Sequence, residues 1–230
     1  MRLLLAPIVL ALACSGCAAW FAGGDPSDGY PDADLASFGL PAAGQHTVTA
    51  EVDAHGEPDG YLIEERTQEV TLPPGTRGQA RYTETMSGSA GREEHGRVVT
   101  AYDDRVEVTD DQSPPFIFLR TPLRAGTRWR FPRRPAGTFM VREIQGVEDV
   151  CTSYGGFFKK ALVVSSLVER RDDAGKPLPP WRLKEWIVPR YGQVQVKFWA
   201  EDHPADVTVQ LLSAFYPDGK PNALPLGSCP

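Results

Sequence analysis

Cysteine, histidine and methionine are all scarce, with four, four and three copies in 230 residues. His46, His55, His95 and His203 are widely separated and show none of the paired spacing of a zinc site, so no metal is expected. Basic charge is not in excess either. Lys and Arg total 24 against 30 Asp and Glu, and the resulting net charge of -6 argues against a general affinity for nucleic acid. After the first twenty residues no apolar run approaches the ~20 residues that a membrane-spanning helix needs. Catalytic signatures are missing as well. Ser89 lies in a Ser87-Gly88-Ser89-Ala90-Gly91 stretch without the spacing of a nucleophile elbow, and it reads as a flexible turn. Cys151 would need a histidine folded beside it to act as a nucleophile. The carboxylate pairs Glu93-Glu94, Asp103-Asp104 and Asp110-Asp111 flank turns, where solvent explains them. No catalytic residue and no cofactor is nominated, and an enzyme is the least favoured of three functional classes.

The N-terminus carries the clearest signal. Arg2 precedes an apolar run over 3–13, and small residues then surround two cysteines, as in a secretory signal peptide. Ser15-Gly16-Cys17 resembles the lipobox of bacterial lipoproteins, which implies cleavage after residue 16 and acylation of Cys17, with Cys14 as the alternative. Acylation of that kind normally adds more than one chain and gives a stable anchor. Neither Ala18 nor Ser15 is the aspartate associated with inner-membrane retention, so the periplasmic face of the outer membrane is expected. Loss of Arg2 with the signal moves the net charge from -6 to -7. Residues 17–43, rich in Ala, Gly, Asp and Pro, read as the lipidated end and a flexible tether, with a root-mean-square reach of about 28 Å. Asp25, Asp28, Asp32 and Asp34 do not match a calcium-loop spacing. The remaining cysteines, Cys151 and Cys229, form an even pair. In an oxidising compartment they would close a loop of about 80 residues and add roughly 4 kcal/mol.

Residues 44–230 are expected to form one β-rich domain. Val194, Val196 and Phe198 alternate with Gln193, Gln195 and Lys197 over 192–200, the period of a strand with one buried face. The same alternation runs through Val48, Ala50 and Val52, through Val106 and Val108, and through Val207, Val209 and Leu211. Residues 161–168 are apolar on both faces and predict a central strand. Turns are predicted at Pro73-Pro74-Gly75, Ser87-Gly88, Asp103-Asp104, Ala174-Gly175 and Pro217-Asp218-Gly219. No strong helix follows the signal, and a short one is entertained within 60–70. Together these features predict a mainly β fold: an antiparallel curved sheet, either a partly open barrel or a sandwich.

Three segments, PLRAGTRW at 122–129, VCTSYGGFFKKALV at 150–163 and EWIVPRYGQVQV at 185–196, resemble the β-sheet domain of the TapB-like group of bacterial envelope lipoproteins. That group is similar in outline to lipoprotein carriers of the LolA and LolB kind, whose curved sheet holds acyl chains. The resemblance implies an envelope protein and brings no catalytic residue.

Two clusters are candidate contact sites. Arg120, Arg124, Arg128, Arg130, Arg133 and Arg134 form an arginine-rich stretch suited to an anionic partner such as lipid phosphate. Trp181, Trp186, Tyr191, Phe198 and Trp199 are large enough to line an apolar cavity, although such residues more often fill a core. The favoured function is a membrane-anchored, non-catalytic scaffold that works through an envelope protein partner. A binding module for lipid or another amphiphile is the first alternative, to be preferred if the domain encloses an open cavity.

Overall fold

The computed structural model describes residues 29–30, 34–53, 55, 57–89, 91–110, 114–133, 137–153, 156–201, 207–215 and 221–222. Fifteen strands and one helical turn follow in chain order: β1 (Gly29–Tyr30), α1 (Ala36–Gly39), β2 (His46–Val52), β3 (Pro58–Thr71), β4 (Gly78–Gly88), β5 (Gly91–Ala101), β6 (Arg105–Asp110), β7 (Phe116–Arg120), β8 (Leu123–Arg124), β9 (Arg128–Arg133), β10 (Thr138–Cys151), β11 (Phe157–Arg171), β12 (Pro177–Val188), β13 (Gly192–Trp199), β14 (Val207–Phe215) and β15 (Pro221–Asn222).

Two antiparallel meanders make one sheet. Strands β2 to β7 form the first and β9 to β14 the second, and β14 pairs with β2 to join them, giving the order β7-β6-β5-β4-β3-β2-β14-β13-β12-β11-β10-β9. The sheet curls until its two terminal strands meet at a seam. Across it Trp129 Nε1 donates to the Ile117 carbonyl at 2.9 Å, and Phe116 stacks on Phe131 with ring centroids 5.6 Å apart. The expected curved antiparallel sheet is thus a nearly closed barrel. Register shifts help it curl: β10 has two against β11, one of them at Gly146, whose φ of 132° favours glycine.

The predicted strands fall in β2, β6, β11, β13 and β14, with β13 ending one residue before the expected 200. Strand β9 shows how the sequence sets the faces. Arg128 and Arg130 point to solvent while Trp129 and Phe131 alternate into the core. Its Pro132 costs little on a terminal strand, where one row of backbone groups has no ladder to join. In β11, Ala161, Leu162, Val163 and Val164 are all fully buried, as expected for a central strand.

Turn chemistry follows prediction at four sites. Thr76 N–H donates to the Pro73 carbonyl at 3.2 Å, Tyr102 N–H to the Arg105 carbonyl at 2.7 Å, and Gly175 N–H to the Asp172 carbonyl at 2.9 Å. Gly88 pairs with Gly91 at the β4–β5 hairpin, while Pro217-Asp218-Gly219 lies outside the described residues.

Two expectations are corrected. The stretch entertained as helical, 60–70, is strand β3, held by ladders to β2 on one side and β4 on the other. Two flanking ladders outweigh any local helical preference. Within the stretch expected as tether, Leu35 and Phe38 are buried in the core and Gly29-Tyr30 pairs with β8. Apolar side chains there dock on the barrel instead of remaining in solvent.

Candidate functional site

The barrel encloses a cavity of about 470 Å³, within the range of small-molecule sites. Its walls differ in character. Strands β2 to β5 contribute Thr47, Thr49, Glu65, Thr67, Tyr82, Glu84 and Arg97, whereas β6, β7, β9 and β10 supply Val108, Phe116, Phe118, Phe131 and Met140 near the seam. The wall on β2 to β5 is polar apart from Ile63 and Val99, while the apolar side chains near the seam share their strands with Asp110, Arg133 and Arg142.

Strand register builds the polar wall. Thr47 lies opposite Glu65, which lies opposite Glu84, while Thr67, Tyr82, Arg97 and Asp110 form the next row. Two carboxylates directly opposite each other repel. Arg97 Nη1 relieves one of them by pairing with Glu84 Oε2 at 2.6 Å. Among the described residues Glu65 has no cation at salt-bridge distance, Arg97 acting on it only at longer range; Thr47 Oγ1 donates to it at 3.2 Å. Burial, and then the neighbouring Glu84, raise the Glu65 pKa above its ordinary value. Burial lowers the Arg97 pKa, but Tyr82, Glu84 and Glu65 outweigh it and hold the guanidinium firmly charged. The Tyr82 hydroxyl is pushed well above the usual tyrosine range by burial and by the Glu65 charge.

A second ion pair sits between β10 and β12. Arg142 Nη2 lies 2.7 Å from Glu185 Oε2, and both side chains are almost fully buried. Ser166 Oγ donates to Glu185 Oε2 at 3.0 Å and Gln193 Nε2 to Oε1 at 2.6 Å. The Arg142 guanidinium also lies 5.2 Å from the Phe118 ring centre and 5.9 Å from that of Trp129.

The segment through α1 covers one side of this cavity. Ser37, Phe38, Gly39, Leu40 and Pro41 all line it, and Phe38 is 1% exposed. The β12–β13 turn holds α1 in place: Arg190, at φ 72°, donates its N–H to the Ser37 carbonyl at 2.6 Å. The Arg190 carbonyl accepts from Gln45 Nε2 at 3.2 Å, and Gln45 Oε1 accepts from the Ala42 N–H at 2.9 Å.

The residues nominated from sequence are dispersed by the fold. Of the arginine stretch, only Arg133 lines the cavity. Arg120, Arg124 and Arg128 are exposed, while Arg130 pairs with Glu169 at 3.5 Å and lies over the Phe139 ring. Arg134 falls outside the described residues. Of the aromatic set, only Tyr191 lines the cavity, in edge contact with Phe158. Trp186 packs in a second apolar cluster with Phe158, Val163, Val194 and Leu211, and its Nε1 donates to Glu148 Oε2 at 3.1 Å. Trp181 is partly exposed, edge-on to Phe198, and Trp199 lies opposite Arg182. Cys151 ends β10; Cys14, Cys17 and Cys229 lie outside the described residues. Among the described residues no group of three or more His, Cys, Asp or Glu side chains is placed to hold a metal ion.

Sequence reading missed Glu65, Tyr82, Glu84, Arg97, Arg142 and Glu185. The one available signal was a charge on the inward phase of an alternating strand, as with Ala80, Tyr82 and Glu84 on β4.

No known family matches the chain, and neither does any curated protein. Two solved structures share its fold. One is a protein from Bacteroides fragilis described as exported and YmcC-like in fold, 13% identical, with a TM-score of 0.58; the alignment covers 78% of this chain and 100% of that one. The other is described as a lipoprotein from Parabacteroides distasonis, 12% identical, with a TM-score of 0.52, covering 77% of this chain and 98% of that one. At such identities the likeness establishes the barrel architecture.

Proposed function

We propose that this protein is an exported, lipid-anchored and non-catalytic binding barrel that holds one amphiphile in its lumen. The observation that carries the proposal is the mixed lining of the cavity, which combines hydrogen-bonding side chains on β2 to β5 with an aromatic cluster at β7 and β9. A scaffold acting through its surface has no use for such a space, and filling it with apolar side chains would add stability. Export and anchoring rest on the N-terminal pattern, with Cys17 as the acylated residue and Cys14 as the alternative. The two fold neighbours, one described as exported and one as a lipoprotein, support an envelope address, and Ala18 after Cys17 favours the periplasmic face of the outer membrane within it. A disulfide between Cys151 and Cys229 belongs to the same proposal, since both cysteines would reside in an oxidising compartment.

Native mass spectrometry of the protein purified from the envelope, followed by lipid extraction, tests the proposal. A reproducible amphiphile bound one to one is expected. A clean ligand-free mass would overturn it and return attention to the surface, where Leu72 is 73% exposed and Val70 40% exposed beside the turn at Pro73.

A further inference from the structure

Arg142 is almost fully buried and poorly satisfied. Its side chain is 3% exposed and lines the cavity, and its Nε and Nη2 are both buried without a hydrogen-bond partner among the described residues. Glu185 Oε2 lies 2.7 Å from Nη2 but off the line of its N–H bonds, so the contact balances the charge and leaves the donors unmet. Glu185 is better served: Ser166 Oγ donates to one of its oxygens and Gln193 Nε2 to the other. Buried donors without acceptors are rare, because each loses its water without a replacement. The unmet capacity of this pair thus lies on the donor side, facing the lumen.

The two unmet nitrogens define the missing partner. Nε and Nη2 form one edge of the planar guanidinium, spaced to meet both oxygens of a single carboxylate. Glu185 already supplies one negative charge beside that edge, so a singly charged head suits it better than a dianionic phosphate. The other lining carboxylates lie elsewhere. Glu65 stands on β3, six strands from β10 in the sheet order, while Glu84 pairs with Arg97 and Asp110 lies opposite it. Arg133, on the neighbouring β9, adds another positive charge to the lining. Apolar surface begins at the same guanidinium, which lies 5.2 Å from the Phe118 ring centre and 5.9 Å from that of Trp129. Next along β9 and β10 come Phe131 and Met140, opposite each other and both lining the cavity, with Phe116 stacked on Phe131.

Resting on the lumen as the binding site, we infer that its amphiphile is a long-chain carboxylate, whose head takes the Nε–Nη2 edge of Arg142 and whose tail runs along Phe131, Met140 and Phe116. The bidentate contact supplies both missing acceptors at once, and the ring-lined stretch removes the tail from water. Selectivity follows from the same geometry, since a hydroxyl head offers no paired anionic oxygens and an ammonium head has no acceptor at all.

The test is calorimetric titration of the full chain at pH 8, where laurate is ionised, with three probes that share a twelve-carbon tail: laurate, 1-monolauroylglycerol and dodecylammonium. One-to-one binding of laurate at least about tenfold tighter than either of the others is expected, the factor set by one charge-assisted hydrogen bond. If 1-monolauroylglycerol or dodecylammonium binds as tightly or more tightly, the carboxylate inference is overturned while the lumen remains the site. If none of the three binds, the lumen reading falls and the inference with it. Arg142→Lys keeps a charge beside Glu185 but removes the paired edge. Checked for native circular dichroism, it is expected to weaken laurate by about tenfold and to leave 1-monolauroylglycerol unchanged. The double variant Arg142→Leu with Glu185→Leu, which strands no charge, is expected to bring laurate down to the affinity of 1-monolauroylglycerol. Laurate affinity unchanged in either folded variant would overturn the placement of the head on Arg142.

Discussion

The two buried ion pairs of this barrel are alike in chemistry and different in setting. Around Glu185 each carboxylate oxygen has a partner: Arg142 and Ser166 at one, Gln193 at the other, with 3% and 4% of the Arg142 and Glu185 side chains exposed. Around Glu84 the pairing guanidinium is 31% exposed, and directly across the ladder sits Glu65, a second carboxylate without a salt-bridge partner among the described residues. The first arrangement ties β10, β11 and β12 together. Both pairs line the cavity, but the second has a guanidinium that is about a third exposed and a carboxylate that faces another across the ladder. The contrast shows how one barrel interior can hold the same residue types in an enclosed and in a partly exposed setting.

Breaking the closed pair has the largest expected effect. Glu185→Ala leaves Arg142 buried and uncompensated and is expected to lower stability by about 3–5 kcal/mol, measured by denaturant unfolding. Replacing both partners, Arg142→Leu with Glu185→Leu, is expected to recover most of that loss, because no charge is then stranded.

Glu84→Gln sharpens the comparison. The Arg97 side chain is 31% exposed, so the same kind of disruption is expected to cost only about 1–3 kcal/mol. An equal loss at both sites would erase the distinction between them.

The open carboxylate predicts a change of the opposite sign. Because the folded state raises the Glu65 pKa, it binds a proton more tightly than the unfolded chain does. Stability should therefore fall as pH rises from the ordinary glutamate value of 4.5 through the raised folded value, and remain lower above it. Glu65→Gln removes that penalty. It is expected to stabilise the protein at pH 7, with no gain below pH 4.5, as followed by thermal unfolding across the pH range.

The smallest effect belongs to the surface. Arg130→Ala removes an exposed pair with Glu169 and a contact with Phe139, and about 0.2–1 kcal/mol is expected from the same unfolding measurement.

Alternation made the strands legible, and it did so wherever one face is apolar. Trp129 and Phe131 against Arg128 and Arg130, or Val106 and Val108 on β6, declare their register without help. Strand β3 was harder to read. Most of its residues are exposed or half-buried, so Tyr61 to Thr71 shows no apolar face and its identity comes from pairing with β2 and β4. The site was obscure for a related reason. Glu65, Glu84 and Arg97 resemble surface charges until pairing brings three strands into register, and Arg142 meets Glu185 only because β10 and β12 both flank β11. The nominated aromatics split between two places, Trp181 with Phe198 and Trp186 with Tyr191, since neighbouring positions on a strand face opposite sides of the sheet.

The most direct test of the lumen as the binding site is crystallographic. A complex with a twelve-carbon fatty acid carrying bromine at the end of its tail would be solved, and the bromine located by anomalous scattering. Bromine inside the barrel beside Phe116 and Phe131 is the expected result. Bromine on the outer surface, for example at the exposed Trp181–Phe198 pair, would contradict it.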